Sequence, residues 1–230
     1  WNTSRDGKLK LHWTVLNDDW YSPVTCYQCP AAGRKGQIGL SAAFDGVNKT
    51  LILPKAKLLG LQDSSFTVMA WIKGDYFAPG TGVNTILGTD QTTFNQGLQL
   101  GVRGGQPLLN FYGNEITGTT VLKPNYWYHL TWRYDKDKQE QAIFVSGYKD
   151  KSAVGHTAFQ GNGDVYVGRS QGSNYFNGRI DELTIYTRAL DEFYIRDIAL
   201  YQYRWFEERQ THELTIDADA PTTRVRSYQA

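Results

Sequence analysis

The 230-residue chain has only two cysteines, one methionine and seven prolines, and it lacks any long apolar run. A membrane-spanning helix needs about 20 consecutive apolar residues, so the sequence predicts no membrane insertion. An excess of one charge is also lacking, because 24 Lys and Arg residues are interspersed with 23 Asp and Glu residues. Nucleic-acid binding depends on clustered basic side chains that neutralise phosphates. We therefore expect no nucleic-acid partner.

The two cysteines, Cys26 and Cys29, lie in "CYQC", with proline on both sides of the pair. A zinc site would need two further ligands, and the four histidines do not have the spacing of metal ligands. A thioredoxin-like pair follows a strand and opens a helix, whereas this segment is typical of a loop. A local disulfide between Cys26 and Cys29 is the favoured interpretation, and it indicates an extracellular or cell-surface setting. The sequons at Asn2 and Asn48 agree with that setting.

Glycine and aromatic residues are abundant, with 23 Gly, 15 Tyr, 10 Phe and 7 Trp. Glycine suits turns and aromatic side chains suit strands, so the composition favours an all-β protein. "FTVMAWIKG", residues 66–74, alternates Phe66, Val68, Ala70 and Ile72 with the opposite face. Period-two alternation predicts a strand. Further short strands follow at regular spacing, which indicates a sandwich or barrel.

The segment "YHLTWRYD" is predicted to be one of these strands, with Leu130, Trp132 and Tyr134 facing the core. Arg133, between two aromatic residues, is expected to be a stacked surface cation. Before residue 38, "KLKLHW" is the one alternating strand candidate.

A single helix is predicted after Leu190, in "DEFYIRDIALYQYRWFEER", with Asp191 as its N-cap. The apolar stripe of this helix, from Phe193 to Tyr203, is expected to pack on the sandwich. We expect residues 1–37 to form a strand and a Cys-x-x-Cys loop that belongs to or flanks the sandwich. Residues 38–200 form the main domain, and residues 201–230 an extension or linker. The start at Trp1-Asn2 predicts a piece of a larger protein, with neighbouring domains on the same polypeptide.

An ordered series of segments resembles the laminin-G-like, concanavalin-A-like jelly rolls, close to the pentraxin branch and to modules of bacterial surface proteins. The segments that carry the resemblance are "LSAAFDGVNKTLILP", "FTVMAWIK", "TILGTD", "NYWYHLTWRYD", "AIFVSGYKD", "VYVGRS" and "FNGRIDELTIYTRALD". The resemblance covers residues 38–200 approximately. It implies a two-sheet antiparallel jelly-roll sandwich with a short C-terminal helix, and recognition of a glycan or a protein.

The resemblance also implies a structural calcium ion, with Asp45 of "FDG" and Asp181 of "RIDE" at positions where relatives have acidic side chains. These two segments could meet on neighbouring strands. The family pattern "FDGxDDY" reads "FDGVNKT" here, so Asn48 and Lys49 replace two acids. Ca²⁺ needs six to eight oxygen ligands. The alternative is that Asp45 forms a turn with Gly46 and Asp181 bonds backbone at a bulge.

Pentraxins bind ligand through a double-calcium site, and the matching positions here are Asp90, Gln171 and Asn174. The segment "RSQGSNYF" provides amides and hydroxyls where pentraxins have acids, which implies a lost or metal-free site. A glycan site needs an aromatic platform beside amides. Loop aromatics that could contribute are Tyr76, Phe77, Phe94, Tyr112, Tyr175 and Phe176.

The carboxylates do not form the pattern of a glycosidase on this scaffold, which needs two acids on one strand face about 5 Å apart. Asp181 and Glu182 are adjacent, so a regular strand points them to opposite faces. Asp135 and Asp137 lie in a predicted hairpin turn. We expect a non-catalytic, extracellular recognition or adhesion module that binds a glycan or a cell-surface protein. The alternatives are a structural spacer and, third, a divergent glycoside hydrolase.

Overall fold

The computed structural model describes residues 2–3, 9–10, 25–26 and 28–200. The strands are β1 (Asn2–Thr3), β2 (Leu9–Lys10), β3 (Ala31–Lys35), β4 (Leu40–Asp45), β5 (Leu51–Lys55), β6 (Phe66–Gly74), β7 (Val83–Gly88), β8 (Gln99–Arg103), β9 (Gln106–Asn110), β10 (Glu115–Thr117), β11 (Tyr128–Asp135), β12 (Glu140–Val145), β13 (Tyr148–Ala153), β14 (Asp164–Val167) and β15 (Asn177–Tyr186). Helix α1 occupies residues 192–200.

Two antiparallel sheets form the sandwich. Six strands make one sheet in the order β10-β9-β8-β7-β14-β5, and seven make the other in the order β13-β12-β11-β6-β15-β4-β3. Strands β1 and β2 pair with each other. The predicted all-β, two-sheet jelly roll is confirmed. In the described part of the chain, no helix is long and apolar enough to cross a membrane.

The core lies between the two sheets and follows the alternation read from the sequence. Phe66, Val68, Ala70 and Ile72 of β6 all belong to the main buried cluster. The predicted inward residues of β11 also join this cluster; they are Leu130, Trp132 and Tyr134. Residues of one strand that alternate in burial face opposite sides of the sheet. The sequence therefore predicted the inner faces of these two central strands correctly.

Helix α1 covers part of the outer face of the seven-stranded sheet. Asp191 Oδ1 accepts a hydrogen bond from Tyr194 N at 2.8 Å, which is the predicted N-cap contact. Ile195 packs with Met69 and Phe144 in a second buried cluster. The predicted stripe was wrong at Phe193, which is 80% exposed. Tyr203 and the predicted extension 201–230 lie outside the described residues.

Strand β15 contains the strongest segment of the family resemblance, and it is interrupted by a bulge between Asp181 and Thr184. Glu182 has φ +49° at this bulge. The extra residue shifts the alternation, so that both Ile180 and Leu183 face the core although they are three residues apart. Asp181 and its pair partner Trp71 then lie on the outer face of the seven-stranded sheet.

Residues before β3 link the two sheets at one edge. Thr25 bridges Ile52 of β5 through two backbone hydrogen bonds, of 3.1 and 2.7 Å. Cys26 and Cys29 are joined by a disulfide, with their Cα atoms 5.1 Å apart, and Cys26 packs against the core. The chain then enters β3 at the edge of the other sheet. Of the predicted strand "KLKLHW", only Leu9–Lys10 is described.

Candidate functional site on the six-stranded sheet

A chain of polar side chains crosses the outer face of the six-stranded sheet. Ser170 Oγ lies 2.8 Å from Thr85 Oγ1 and accepts a hydrogen bond from Gln99 Nε2 at 3.1 Å. Gln99 Oε1 in turn accepts from Asn110 Nδ2 at 2.9 Å. All four side chains are buried. Buried polar groups are costly unless they are bonded, and here each provides the partner of the next.

The loop of residues 168–176 is held over this polar chain. Gly168 N donates to Ile86 O at 2.9 Å, and Gln171 N donates to Thr89 O at 3.1 Å. A Cβ atom at Gly168 would lie 2.4 Å from the Phe44 ring, and Gly168 has φ +83°. Glycine is therefore required where β14 turns into this loop. Ser170 and these backbone bonds fix the loop on β7.

The fixed loop brings Arg169 to Asp90, which follows β7. Arg169 Nη2 lies 2.6 Å from Asp90 Oδ2, and Gly172 N donates to Asp90 Oδ1 at 3.0 Å. The guanidinium carbon of Arg169 stands 3.9 Å from the ring centroid of Tyr166. Burial raises the pKa of the Tyr166 phenol, and the nearby Asp90 carboxylate raises it further. Asp90, Tyr166 and Arg169 form one compact group at the surface.

The other ligand-binding residues predicted from the sequence lie on the same loop. Asn174 Nδ2 donates to Gln171 Oε1 at 3.3 Å. Tyr175 O accepts from Asn84 Nδ2 at 3.4 Å. The structure therefore brings Gln171 and Asn174 close to Asp90, whereas Tyr175 lies beside Asn84 at the start of β7. We call the group of Asp90, Tyr166, Arg169, Gln171 and Asn174 the Asp90 surface.

The candidate aromatic residues divide into core and surface groups. Phe77 and Phe176 are buried in the main core, so they are unavailable as a sugar platform. Phe94 is 61% exposed in the loop that follows Asp90. This loop is joined to the β9–β10 turn by Asn95 N, which donates to Tyr112 O at 3.3 Å. Phe94 and Tyr112 therefore belong to neighbouring loops at the end of the sheet where Asp90 lies. Tyr76 is exposed after β6, at the opposite end.

Asp45 is an exposed turn carboxylate. Its Oδ1 accepts hydrogen bonds from the backbone N–H groups of Val47, Asn48 and Lys49, at 3.0 to 3.2 Å. Burial by itself would raise the pKa of Asp45, but these three donors outweigh it and leave the pKa below its usual value. The carboxylate therefore already stabilises the turn as an anion.

Asp181 is fully buried and holds the β3–β4 turn. Its Oδ2 accepts from Ile38 N at 2.8 Å, and its Oδ1 accepts from Glu182 N at 3.0 Å. A Cβ at Gly36 would lie 2.4 Å from Asp181 Oδ2. Burial raises the pKa of Asp181 to about 6, against the lowering effect of the Ile38 N–H.

The two acids predicted to bind calcium lie on adjacent strands but not at one site. Asn177 pairs with Asp45 between β15 and β4, so Asp181 is four residues further along, about 13 Å at 3.3 Å per residue. Among the residues that the structure describes, no three His, Cys, Asp or Glu side chains form a group that could hold a metal ion. A single ion bridging Asp45 and Asp181 does not fit this arrangement.

Several residues of the Asp90 surface and of its support were missed at the level of sequence. Tyr166 and Arg169 lie in "VYVGRS", which was read as a strand signal. The alternation of Val165, Tyr166 and Val167 does place Tyr166 on the outer face, since both valines are in the core. Ser170 and Gln99 gave no signal, because their roles depend on contacts across 71 residues of chain.

Two packed antiparallel β-sheets with a hydrogen-bonded loop on one outer face define a jelly-roll sandwich domain. The chain belongs to the concanavalin A-like lectin/glucanases superfamily, since the laminin-G-type model of that superfamily matches residues 45–196. The match covers more than half of the chain. No curated protein sequence matches the chain.

Solved structures of other proteins share the fold. Domain 4 of AbnA, a GH43 extracellular arabinanase from Geobacillus stearothermophilus solved with arabinotriose, has 23% identity and a TM-score of 0.62 over 77% of this chain and 88% of its own. The CBM40 domain of Ruminococcus gnavus IT-sialidase, bound to α2,3-sialyllactose, has 13% identity and a TM-score of 0.52 over 66% and 97%. A heptameric SAP-like pentraxin from Limulus polyphemus has 16% identity and a TM-score of 0.50 over 68% and 80%.

Proposed function

We propose that this chain is a non-catalytic glycan-binding module that binds its ligand through the Asp90 surface. The observation that carries the proposal is the loop of residues 168–176. Its underside is anchored by Ser170 to the buried polar chain. Its outer side presents a carboxylate, two amides and a guanidinium within one hydrogen-bonded group. Domains of similar fold were solved with arabinotriose and with sialyllactose, which supports a glycan as the ligand class.

The residue types of the Asp90 surface suit a saccharide. Sugar hydroxyls both donate and accept hydrogen bonds, and the Gln171 and Asn174 amides offer both kinds of partner. Sugar rings also present C–H faces that stack on aromatic side chains. Phe94 is 61% exposed in the neighbouring loop and provides such a ring. Rigid support beneath a polar surface lowers the cost of ordering it on binding.

The carboxylates support binding rather than hydrolysis. A glycosidase needs two carboxyl groups on either side of the scissile bond, one of them with a raised pKa. Asp90 is paired with Arg169. The aspartate whose pKa is raised to about 6, Asp181, is buried on the outer face of the other sheet and bonded to backbone. Asp135 caps its own turn through Lys138 N at 3.2 Å.

We place the module outside the cell, as part of a larger surface or secreted polypeptide, where glycans of cell surfaces or polysaccharides are accessible. The Cys26–Cys29 disulfide supports this setting, since disulfides persist in oxidising compartments. The proposed partner is a glycan, free or carried by a cell-surface protein.

A glycan array with the purified protein tests the proposal. We expect binding to at least one class of saccharide, and Asn174→Ala should weaken it about tenfold, because one hydrogen-bonding amide is lost. Asn48→Ala, in the exposed turn after β4, serves as the control and should bind as the parent does. If no saccharide class binds, the glycan proposal is wrong and the result favours a structural spacer. If both variants bind equally well, the Asp90 surface is not the site.

The calcium ion predicted from the family resemblance stays a prediction. Asp45 and Asp181 would have to bind separately, and Asp181 has both oxygens bonded to backbone N–H groups. We expect a structural ion at Asp45 to raise the midpoint of thermal unfolding in the presence of Ca²⁺. Melting curves recorded with Ca²⁺ and with EDTA, for the parent and for Asp45→Asn, check this. Identical midpoints for the parent under both conditions would exclude the ion.

A further inference from the structure

The single arginine of the Asp90 surface is already engaged by protein groups. Arg169 Nη2 is bonded to Asp90 at 2.6 Å, and one face of its guanidinium is stacked on Tyr166. Arg169 Nε is buried and has no hydrogen-bond partner among the described residues. Arginine clasps a carboxylate best with two parallel N–H groups. A ligand carboxylate on the remaining edge of Arg169 would lie next to the carboxylate of Asp90.

The charges around Tyr166 do not favour an anion. Two carboxylates, Asp90 and Asp164, and one guanidinium, Arg169, act on the Tyr166 phenol. Lys55 of β5 is the neighbour of Asp164 in the backbone register of β14 and β5. With Lys55 included, these four side chains have a formal charge of zero. Sites that bind acidic ligands carry an excess of positive charge, which attracts the ligand and offsets its loss of water. The Asp90 surface has no such excess.

Asp90 can accept a further hydrogen bond. Its side chain is 40% exposed, although Arg169 and Gly172 N donate to its two oxygens and the Tyr166 hydroxyl also bonds to it. An ionised carboxylate is an acceptor only, with about four lone-pair positions on its two oxygens. Sugar hydroxyls can fill the open positions because they donate. A ligand carboxylate cannot, because it too is an acceptor only.

We infer that the Asp90 surface selects neutral saccharides and rejects acidic ones, such as uronic and sialic acids. This inference rests on the proposed function of the surface as a glycan site. One hydroxyl of the saccharide donates to Asp90, and neighbouring hydroxyls exchange hydrogen bonds with Gln171 and Asn174. Charge balance at Arg169 therefore sets the ligand class, and the amides set the orientation of the ring.

Matched pairs of ligands test the inference. Galacto- and galacturono-oligosaccharides of equal length differ at C6, where a hydroxymethyl group replaces a carboxylate, and lactose and 3′-sialyllactose form a second pair. We expect the neutral member of a pair to bind at least about tenfold more tightly in titration calorimetry. We also expect its affinity to change less than about twofold between 50 and 500 mM NaCl, because no ligand charge is screened.

Asp90→Asn tests whether the negative charge of Asp90 sets the preference for neutral saccharides. The variant keeps the shape of the side chain but removes the negative charge, so it should weaken the neutral ligand about tenfold and reduce the preference over the acidic one. Asp75→Asn, at the opposite end of the sandwich, should change neither. Tighter binding of the acidic ligand by the parent, or strong salt dependence, would overturn the inference and leave the glycan function intact. Unchanged neutral binding by Asp90→Asn would also overturn it, whereas no saccharide binding at all would remove both.

Discussion

The outer faces of the two sheets are covered in opposite ways. On the seven-stranded sheet, Met69 and Phe144 form an apolar cluster with Ile195 of helix α1. On the six-stranded sheet, Thr85, Gln99 and Asn110 form a polar chain that the loop of residues 168–176 closes with Ser170. Burial of apolar area holds helix α1 on the seven-stranded sheet, and hydrogen bonds hold the loop of residues 168–176 on the six-stranded sheet.

This difference explains where a ligand site can form. A helix that packs on an apolar face leaves few polar groups free, and charges beneath it must be satisfied inside the protein. Arg133 shows this, because it donates to Leu190 O and pairs with Glu140. A loop held by hydrogen bonds is fixed underneath while its outer polar groups remain at the surface. The six-stranded face therefore carries the Asp90 surface.

The largest expected effect is the loss of Arg133. Its ion pair with Glu140 has side-chain exposures of 6% and 14%, so Arg133→Met should leave Glu140 and Leu190 O without their partner. Removing one member of a buried pair costs about 3 kcal/mol or more. We expect the free energy of unfolding, measured by urea titration, to fall by about this amount, and the near-ultraviolet signal of the folded state to persist at low urea.

Arg103→Met is the matched control on the other sheet. Arg103 forms a two-point ion pair with Glu115, and the side-chain exposures are 27% and 33%. Solvent screens this pair, so its loss should cost no more than about 1 kcal/mol. If both variants lose the same free energy of unfolding, solvent is excluded no better from the outer face of the seven-stranded sheet than from that of the six-stranded sheet.

A second effect is the pH dependence that Asp181 contributes. The folded-state pKa of about 6 lies above the ordinary aspartate value of 3.8, so between these two pH values the folded protein holds a proton that the unfolded chain has released. Stability is therefore fully present below about pH 3.8 and falls as the pH rises to about 6. The total change is on the order of 3 kcal/mol. The difference in unfolding free energy between the parent and Asp181→Asn, measured from pH 4 to 7, should follow this slope.

Asp45 should give the opposite slope. Its pKa is lowered by three backbone donors, which outweigh the effect of burial, so it stabilises the fold above its unfolded pKa and the effect is lost as the pH falls through the folded pKa. The difference between the parent and Asp45→Asn should therefore grow with rising pH, and it should be small, because this carboxylate is exposed. The same sign of slope at both positions would contradict the distinction between the buried and the exposed acid.

The fold could be predicted because it rests on local patterns. Alternation in β6 and β11 fixed which residues face the core, and Asp191 marked the start of α1. The family resemblance then supplied the arrangement of strands. It also located Asp90, Gln171 and Asn174, although their proximity depends on a loop that crosses β7. These are properties of short segments and of their order along the chain.

The remaining features depend on contacts between distant segments, which alternation does not contain. Arg133 was expected to be a stacked surface cation. It does stack over the Phe144 ring, at 5.4 Å, but it is buried, because the segment that leads into α1 covers it. Arg169 gave no signal, because its role depends on Asp90, 79 residues earlier in the chain. Phe193 was expected to pack on the sheet, but it lies on the exposed side of α1.

Ser170 tests whether hydrogen bonds alone hold the loop of residues 168–176 on the six-stranded sheet. Ser170→Ala removes the hydroxyl between Thr85 and Gln99, so we expect the free energy of unfolding to fall by about 1–2 kcal/mol and saccharide affinity to weaken as the loop of residues 168–176 loosens. Ser173→Ala is the control for stability in the same loop, since Ser173 is exposed and, among the described residues, its hydroxyl donates only to Gln171 O, at 3.4 Å. It should change the unfolding free energy by no more than about 0.5 kcal/mol. If Ser170→Ala changes the unfolding free energy as little as Ser173→Ala, other contacts hold the loop. The hydrogen bonds of Ser170 would then not be what distinguishes the outer face of the six-stranded sheet from that of the seven-stranded sheet.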